Sequence, residues 1–234
     1  MRPNVREALM PAPATRMKHF ATHGQASAAL AAVVAADLEN AVEERGVASL
    51  AVPGGTTPVE FLTLLGQRDL DWPWVTVTLT DERWVEPANQ RSNAGLVART
   101  LGHSTRPYQW WPMWRAGFSP EQAAAQLDRE SRSVPWPLDV VVLGMGEDGH
   151  VASLFPGDET GFGGVGTPRF VAVRGPTGEP RVSLSAAAIA GAGRVYLLLN
   201  GATKQACFAA ADSRLPVTRI LAMRDGPTVI FASE

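Results

Sequence analysis

Asp148 and His150 stand two residues apart in the run Leu138 to Gly157, LDVVVLGMGEDGHVASLFPG. A neutral imidazole can take a proton from water, and a neighbouring carboxylate orients it or stabilises the imidazolium. The run begins as a continuous apolar strand, then meets two glycines, the acids Glu147 and Asp148, Gly149 and His150. A small-residue stretch follows, and a helix is expected to start there. Open α/β sheets hold their ligands at such strand ends. A His that merely caps a helix is the competing reading.

Three more motifs could serve the same chemistry. Gly54-Gly55-Thr56-Thr57-Pro58 links an apolar strand to a helical pattern. Glycines let the backbone approach an anion, amides near a helix start carry partial positive charge, and two threonines add hydroxyls. This suits a phosphate. The motif matches neither GxxxxGK[ST] nor GxGxxG, so nucleotide cradles are not favoured. A plain turn with a Thr cap is the alternative. Thr80-Asp81-Glu82-Arg83 places two carboxylates and a guanidinium at another strand end. Arg83 suits a phosphate or a polarised carbonyl, and Asp81 suits sugar hydroxyls. A solvated ion-pair cluster competes. Asn93 is read as a helix cap. Arg181, after a Pro/Gly-rich turn, and Lys204, at a helix start, could form an anion clamp; each alone is also an ordinary surface cation.

Other candidates fall away. His19, His23 and His103 stand in polar or terminal contexts and are read as structural or exposed. No second His or Cys sits at ligand spacing, so no metal is expected. Ser153 lies outside a GxSxG elbow, which removes a serine-hydrolase reading. Trp110, Trp111 and Trp114 are assigned to core packing or a subunit contact.

These motifs need a scaffold that brings strand ends together. A helix is expected from Gln25 to Arg45, closed by Gly46. Strands are expected at Ala48 to Val52, Trp74 to Thr80, Leu138 to Leu143, Arg194 to Leu199 and Thr228 to Ala232, with weaker ones at Phe170 to Val173 and Arg181 to Leu184. Helices are expected up to Leu65, from Asn93 to Leu101, from the Ser119 cap to Ser131, and from Lys204 to Asp212. The alternation predicts an α/β, Rossmann-like, doubly wound, mainly parallel sheet. GGTTP, TDER, GMGEDGH and NGATK would then converge on one sheet edge. Residues 1–16 are read as a loose arm, 17–234 as a single catalytic α/β domain, and Gly157 to Thr167 as a candidate mobile loop.

Composition narrows the partners. The 234-residue chain is 45% apolar and 19% charged, with a formal charge of −2 and no basic block. That describes a globular protein without a nucleic-acid footprint. The one cysteine, Cys207, cannot form an intrachain disulfide. No apolar run approaches the roughly 18–20 residues of a membrane span. A cytoplasmic protein is expected.

Taken together, Gly54 to Pro58, Asp81-Glu82-Arg83 with Ser92-Asn93, Gly144 to Gly157, Pro180 to Leu184, and Gly201 with Lys204 resemble the 6-phosphogluconolactonase family, in its order and over about residues 20–232. The resemblance implies hydrolysis of 6-phospho-D-glucono-1,5-lactone in the oxidative pentose phosphate pathway, without metal or organic cofactor. It implies a fold shared with glucosamine-6-phosphate deaminases. On it, His150 is expected to be the base and Asp148 its partner. Arg83, or else the amides of Gly144 to Gly146, would stabilise the oxyanion. Gly54, Gly55, Thr56, Thr57, Asp81, Arg181 and Lys204 would bind substrate and its phosphate. A monomer or small homo-oligomer is expected. The nearest rival is a deaminase or isomerase, but such enzymes resemble IAFNEP after the DGH motif, and Ala152 to Pro156 carries no acid. A sugar-phosphate sensor would usually carry a helix-turn-helix extension, for which residues 1–20 are too short and Pro-rich.

Overall fold

The computed structural model describes residues 15–104, 106–163, 166–226 and 228–233. In chain order the first half comprises β1 (Thr15–Phe20), α1 (His23–Arg45), β2 (Ala48–Val52), α2 (Val59–Gly66), β3 (Val75–Leu79), β4 (Asp81–Arg83), α3 (Asn93–Thr100), β5 (Gln109–Trp110) and α4 (Pro120–Glu130). The second half comprises β6 (Val140–Gly144), β7 (Phe170–Arg174), β8 (Pro180–Leu184), α5 (Ala186–Ala190), β9 (Arg194–Asn200), α6 (Ala202–Ala209), α7 (Pro216–Ala222) and β10 (Thr228–Ser233).

Seven strands form one parallel sheet in the order β1-β10-β9-β6-β2-β3-β5. The expected doubly wound sheet is therefore present. Its central strands are buried on both faces, which explains their unalternated apolar sequences. Leu50, Val77, Val141 and Ile230 are fully buried, as are Leu30, Val34 and Leu38 of α1. The four motif-bearing strands β9, β6, β2 and β3 are consecutive in the sheet. Parallel neighbours end on the same edge, so their four following motifs meet there.

Local signals set several boundaries. Gly46 takes a left-handed φ of 77° and donates its N–H to the Val42 carbonyl, closing α1. α4 starts with a full capping box of Ser119 and Gln122, with proline at its first position. Trp111 packs edge-on against Phe170 at 5.2 Å, and its indole N–H donates to Glu130. It is a core residue, as one of the two readings of the tryptophans required.

Other elements depart from expectation. Thr15 and Arg16 belong to β1, paired with Thr228 and Val229, and not to an arm; the rest of the expected arm lies outside the described residues. This strand is mostly exposed, so its polar sequence carries no strand alternation, and its partner β10 decides it. No helix follows His150. Residues 151–154 form a tight turn closed by a bridge between Val151 and Leu154, with Ala152 at φ 50° and Pro156 and Gly157 just beyond. α6 stops at Ala209, short of Asp212. β5, α5 and α7 are too short, two to seven residues, to give a periodic signal.

The segment between β6 and β9 also carries two strands of a second sheet, β4-β8-β7, which is antiparallel. The chain enters it at Thr80. The Thr80 amide donates to Val52 of the large sheet, and the Thr80 carbonyl accepts from Leu184 of the small one. That corner swings Asp81 to Arg83 over the ends of β2 and β6. Of the proposed mobile loop, the described part is tied down: Ala186 donates to the Gly161 carbonyl, and Arg219 pairs with Glu159 and lies 3.8 Å from the Phe162 ring centre.

Candidate active site

A cavity of about 250 Å³ opens where the four strand ends meet the small sheet. Gly54, Gly55, Thr56, Thr57, Asp81, Arg83, His150, Arg181 and Lys204 all line it. Asp148 is not on the wall; it stands behind His150.

The histidine is held from three sides. Asp148 Oδ1 accepts from His150 Nδ1 at 2.5 Å and from the His150 amide at 3.2 Å. A carboxylate only accepts, so Nδ1 carries the hydrogen, and in the neutral form of the ring Nε2 is the nitrogen with the lone pair. The Phe155 ring lies 4.9 Å from the imidazole centre, tilted by 45°. Gly146 lies beneath: a Cβ there would come within 2.2 Å of the imidazole and 2.6 Å of Asp148 Oδ1. The second glycine of GMG is thus the space the pair occupies. Partial burial acts to raise the Asp148 carboxyl. The adjacent His150 charge and hydrogen bonds outweigh it and hold the group below its ordinary value. Asp148 is therefore ionised at neutral pH and able to stabilise an imidazolium. The Gly146 amide donates to the His150 carbonyl, so it is not a free oxyanion donor.

Strand alternation sorts the TDER motif. Asp81 and Arg83 point one way and Glu82 the other. Glu82 is fully buried and accepts from the amides of Arg83, Asn93 and Ala94 and from the Ser92 hydroxyl. Burial raises its pKa against the pull of those hydrogen bonds. Its role is to fix α3, not to react. The cap of α3 is Ser92, whose hydroxyl accepts from Gly95; the expected cap, Asn93, instead lies on the cavity wall. Asn93 Nδ2 donates to the Asp81 carbonyl at 2.8 Å, and a Cβ on Gly54 would fall 1.8 Å from Asn93 Oδ1. Only glycine lets the loop after β2 close on that amide.

Arg83 and Arg181 are register partners across β4 and β8. Like charges directly opposite oppose each other unless neutralised. Arg181 is neutralised: its NH2 pairs with Glu179, and its NH1 reaches Ser153 Oγ at 3.4 Å and Asp81 Oδ2 at 3.8 Å. Ser153 Oγ in turn donates to Asp81 Oδ2 at 2.6 Å. Asp81 is thereby engaged with Ser153, Asn93 and Arg181, which leaves it less available to sugar hydroxyls than its sequence position suggests. Hydrogen bonds from Thr177 and Arg181 bring the Glu179 carboxyl down to about 2. The Arg181 guanidinium also lies 5.4 Å from the Phe155 ring centre, so that ring separates it from His150.

Arg83 and Lys204 differ from Arg181. Among the described residues neither forms a salt bridge. Arg83 Nη1 donates to the Arg91 carbonyl at 2.7 Å, and its Nε, like that of Arg181, is buried and without a partner among the described residues. Lys204 sits in the first turn of α6, after Gly201 at φ 95°. These are the cations an incoming anion would meet.

Asn93, Phe155 and Glu82 were not among the sequence-derived site residues. Asn93 was read as the cap, and nothing in the sequence signalled that Ser92 would take that place and leave Asn93 to turn inward. Phe155 gave no polar signal. Among the described residues no three His, Cys, Asp or Glu side chains gather as a metal site, and no helix is long and apolar enough to cross a membrane.

Comparison with known proteins adds a family. Residues 21–230 match the model of glucosamine-6-phosphate isomerases/6-phosphogluconolactonase. The 6-phosphogluconolactonase of Mesorhizobium japonicum is 41% identical over 221 residues, covering 91% of this chain and 92% of that protein. That of Rhizobium meliloti is 40% identical over 219 residues, covering 87% and 92%. A crystal structure of a 6-phosphogluconolactonase from Shewanella baltica superposes with a TM-score of 0.89 at 34% identity, covering 95% of this chain and 99% of that one.

Proposed function

Because the chain belongs to the glucosamine-6-phosphate isomerase/6-phosphogluconolactonase family, we propose that it hydrolyses 6-phospho-D-glucono-1,5-lactone to 6-phosphogluconate, the lactone step of the oxidative pentose phosphate pathway, with His150 as general base. The observation that carries the reading is the Asp148–His150 pair on the wall of a cavity that also holds the glycine–threonine loop, Arg83 and Lys204.

His150 Nε2 takes a proton from water as the water oxygen bonds to the lactone C1. Asp148 stabilises the imidazolium. Arg83 stabilises the charge that develops on the carbonyl oxygen. The bond from C1 to the ring oxygen then breaks, and His150 returns its proton to that oxygen. One water is added, and the new carboxylic acid ionises in solution. The 6-phosphate lies on Gly54 to Thr57 with Lys204. Arg181 adds positive charge from a fixed position, because Glu179, Asp81 and Ser153 already engage its outer nitrogens.

Deamination of glucosamine 6-phosphate is the weaker reading. The side chain that the segment after DGH brings against His150 is the Phe155 ring, which can take no proton. The proposal extends to a small phosphosugar substrate and to a cytoplasmic monomer or small homo-oligomer without a nucleic-acid or membrane partner. The purified protein, given each substrate in turn, should release acid from the phosphorylated lactone and no ammonia from glucosamine 6-phosphate. Ammonia release without lactone hydrolysis would overturn the proposal.

A further inference from the structure

His23 lies outside the cavity wall, on the first turn of α1, yet it touches the loop after β2. Its Nε2 is 2.8 Å from the Thr57 carbonyl oxygen. A carbonyl only accepts, so Nε2 carries the hydrogen. The carbonyl belongs to the peptide joining Thr57 to Pro58, and proline has no N–H. That oxygen is therefore the only hydrogen-bonding group by which this peptide can be anchored. The other imidazole nitrogen, Nδ1, is enclosed and has no partner among the described residues. Nε2 also lies 3.4 Å from the Ser27 hydroxyl, but the Thr57 carbonyl is its shorter contact.

A second observation places α1 and α2 together beside the loop. A Cβ on Gly24 would lie 2.8 Å from Glu60 Oε1, so the first turns of α1 and α2 approach each other closely. α1 itself runs 23 residues and is fixed in the core by Leu30, Val34 and Leu38. The His23 contact therefore ties the loop after β2 to a helix that is itself packed in the core.

We propose that His23 is a positioning residue for phosphate recognition. By fixing the Thr57–Pro58 peptide it sets the amides and hydroxyls of Gly55, Thr56 and Thr57, and it touches neither the phosphate nor the lactone. The inference rests on reading that loop as the phosphate cradle.

The test compares the phosphorylated lactone with unphosphorylated gluconolactone. His23→Ala should raise KM for the phosphorylated substrate about 5–10-fold, in line with loss of one hydrogen bond. It should leave kcat for that substrate, and turnover of gluconolactone, within twofold. Inhibition by inorganic phosphate should weaken by the same factor. His23→Gln, whose amide N–H reaches the position of Nε2, should restore most of the KM. Equal losses on both substrates, no change in KM, or failure of the Gln variant to rescue would each overturn the assignment. Lys204→Ala, made in parallel, separates this from failure of the underlying reading. If it leaves the preference for the phosphorylated substrate intact, the phosphate reading falls. If it abolishes the preference while His23→Ala does not, only the role of His23 falls.

Discussion

The two ends of the large sheet use the same residue types to opposite effect. At the amino end, Asp139 accepts from the Ser49 amide at 2.8 Å, the Ser49 hydroxyl at 3.0 Å and Arg45 at 2.5 Å. Nearby, Tyr196 donates to Asp37, which also faces Arg194 at 3.7 Å. A depression beside these groups, about 300 Å³ and lined by Leu38, Glu39, Asp71 and Arg106, contains an Arg106–Asp71 pair and no histidine. At the carboxyl end, Arg83 and Lys204 form no salt bridge among the described residues, the Nε atoms of Arg83 and Arg181 are buried without a partner, and the loops turn on glycines that sit against side chains. The amino end spends its polar groups on each other. The carboxyl end keeps some in reserve, and unpaired groups beside a cavity are what a charged ligand can use.

That contrast can be broken by mutation. The largest effect should come from His150→Ala, which is expected to lower kcat about 10²–10⁴-fold while phosphosugar binding is retained. Single-turnover kinetics with a binding titration would check it, and near-normal turnover removes His150 as base. Gly146→Ala should come next. Its Cβ would fall 2.2 Å from the imidazole, so the ring must leave Asp148, and a displacement of about 1 Å costs on the order of 10²-fold in rate. A wild-type kcat in that variant would mean the ring tolerates the shift.

At the other end, Asp139→Ala should leave kcat and KM of the folded protein unchanged but destabilise it by about 2 kcal/mol. For a chain of this length that lowers the melting temperature by about 4–8 °C, measurable by calorimetry. A catalytic defect without a stability loss would erase the division between the two ends. The smallest effect concerns pH. The Glu179 carboxyl lies at about 2 in the folded protein, below its ordinary 4.5. Its hydrogen bonds from Thr177 and Arg181 thus contribute stability that is complete above about 4.5 and lost as pH falls toward 2. Urea midpoints should decline through that window, and Glu179→Gln should flatten the decline. An unchanged slope would mean that the contacts of Glu179 with Thr177 and Arg181 add nothing to stability.

Much of this was legible beforehand because it is local. The strands that read as continuous apolar runs are the buried central ones, and Gly46 and Ser119 ended and began helices through chemistry confined to one turn. What failed was set by partners distant in sequence. β1 exists because β10 pairs with it. The stretch after His150 lacks a helix because Ala152 to Gly157 turns back toward the small sheet, where Ser153 meets Asp81, 72 residues away. Asn93 and Ser92 are both good caps, and only the fold decided which faced the cavity.

The sequence alone determined the groups on offer: a histidine with a neighbouring carboxylate, a glycine–threonine turn and three cations, each next to a strand end. Parallel pairing then fixed which strand ends lie together, since neighbouring strands must finish on one edge. The tertiary structure decided what each group is free to do. Register set Arg83 against Arg181, and Glu179 with Asp81 engaged only the second. Availability depends on which neighbours have already satisfied a charge, and those neighbours are brought by folding from elsewhere in the chain.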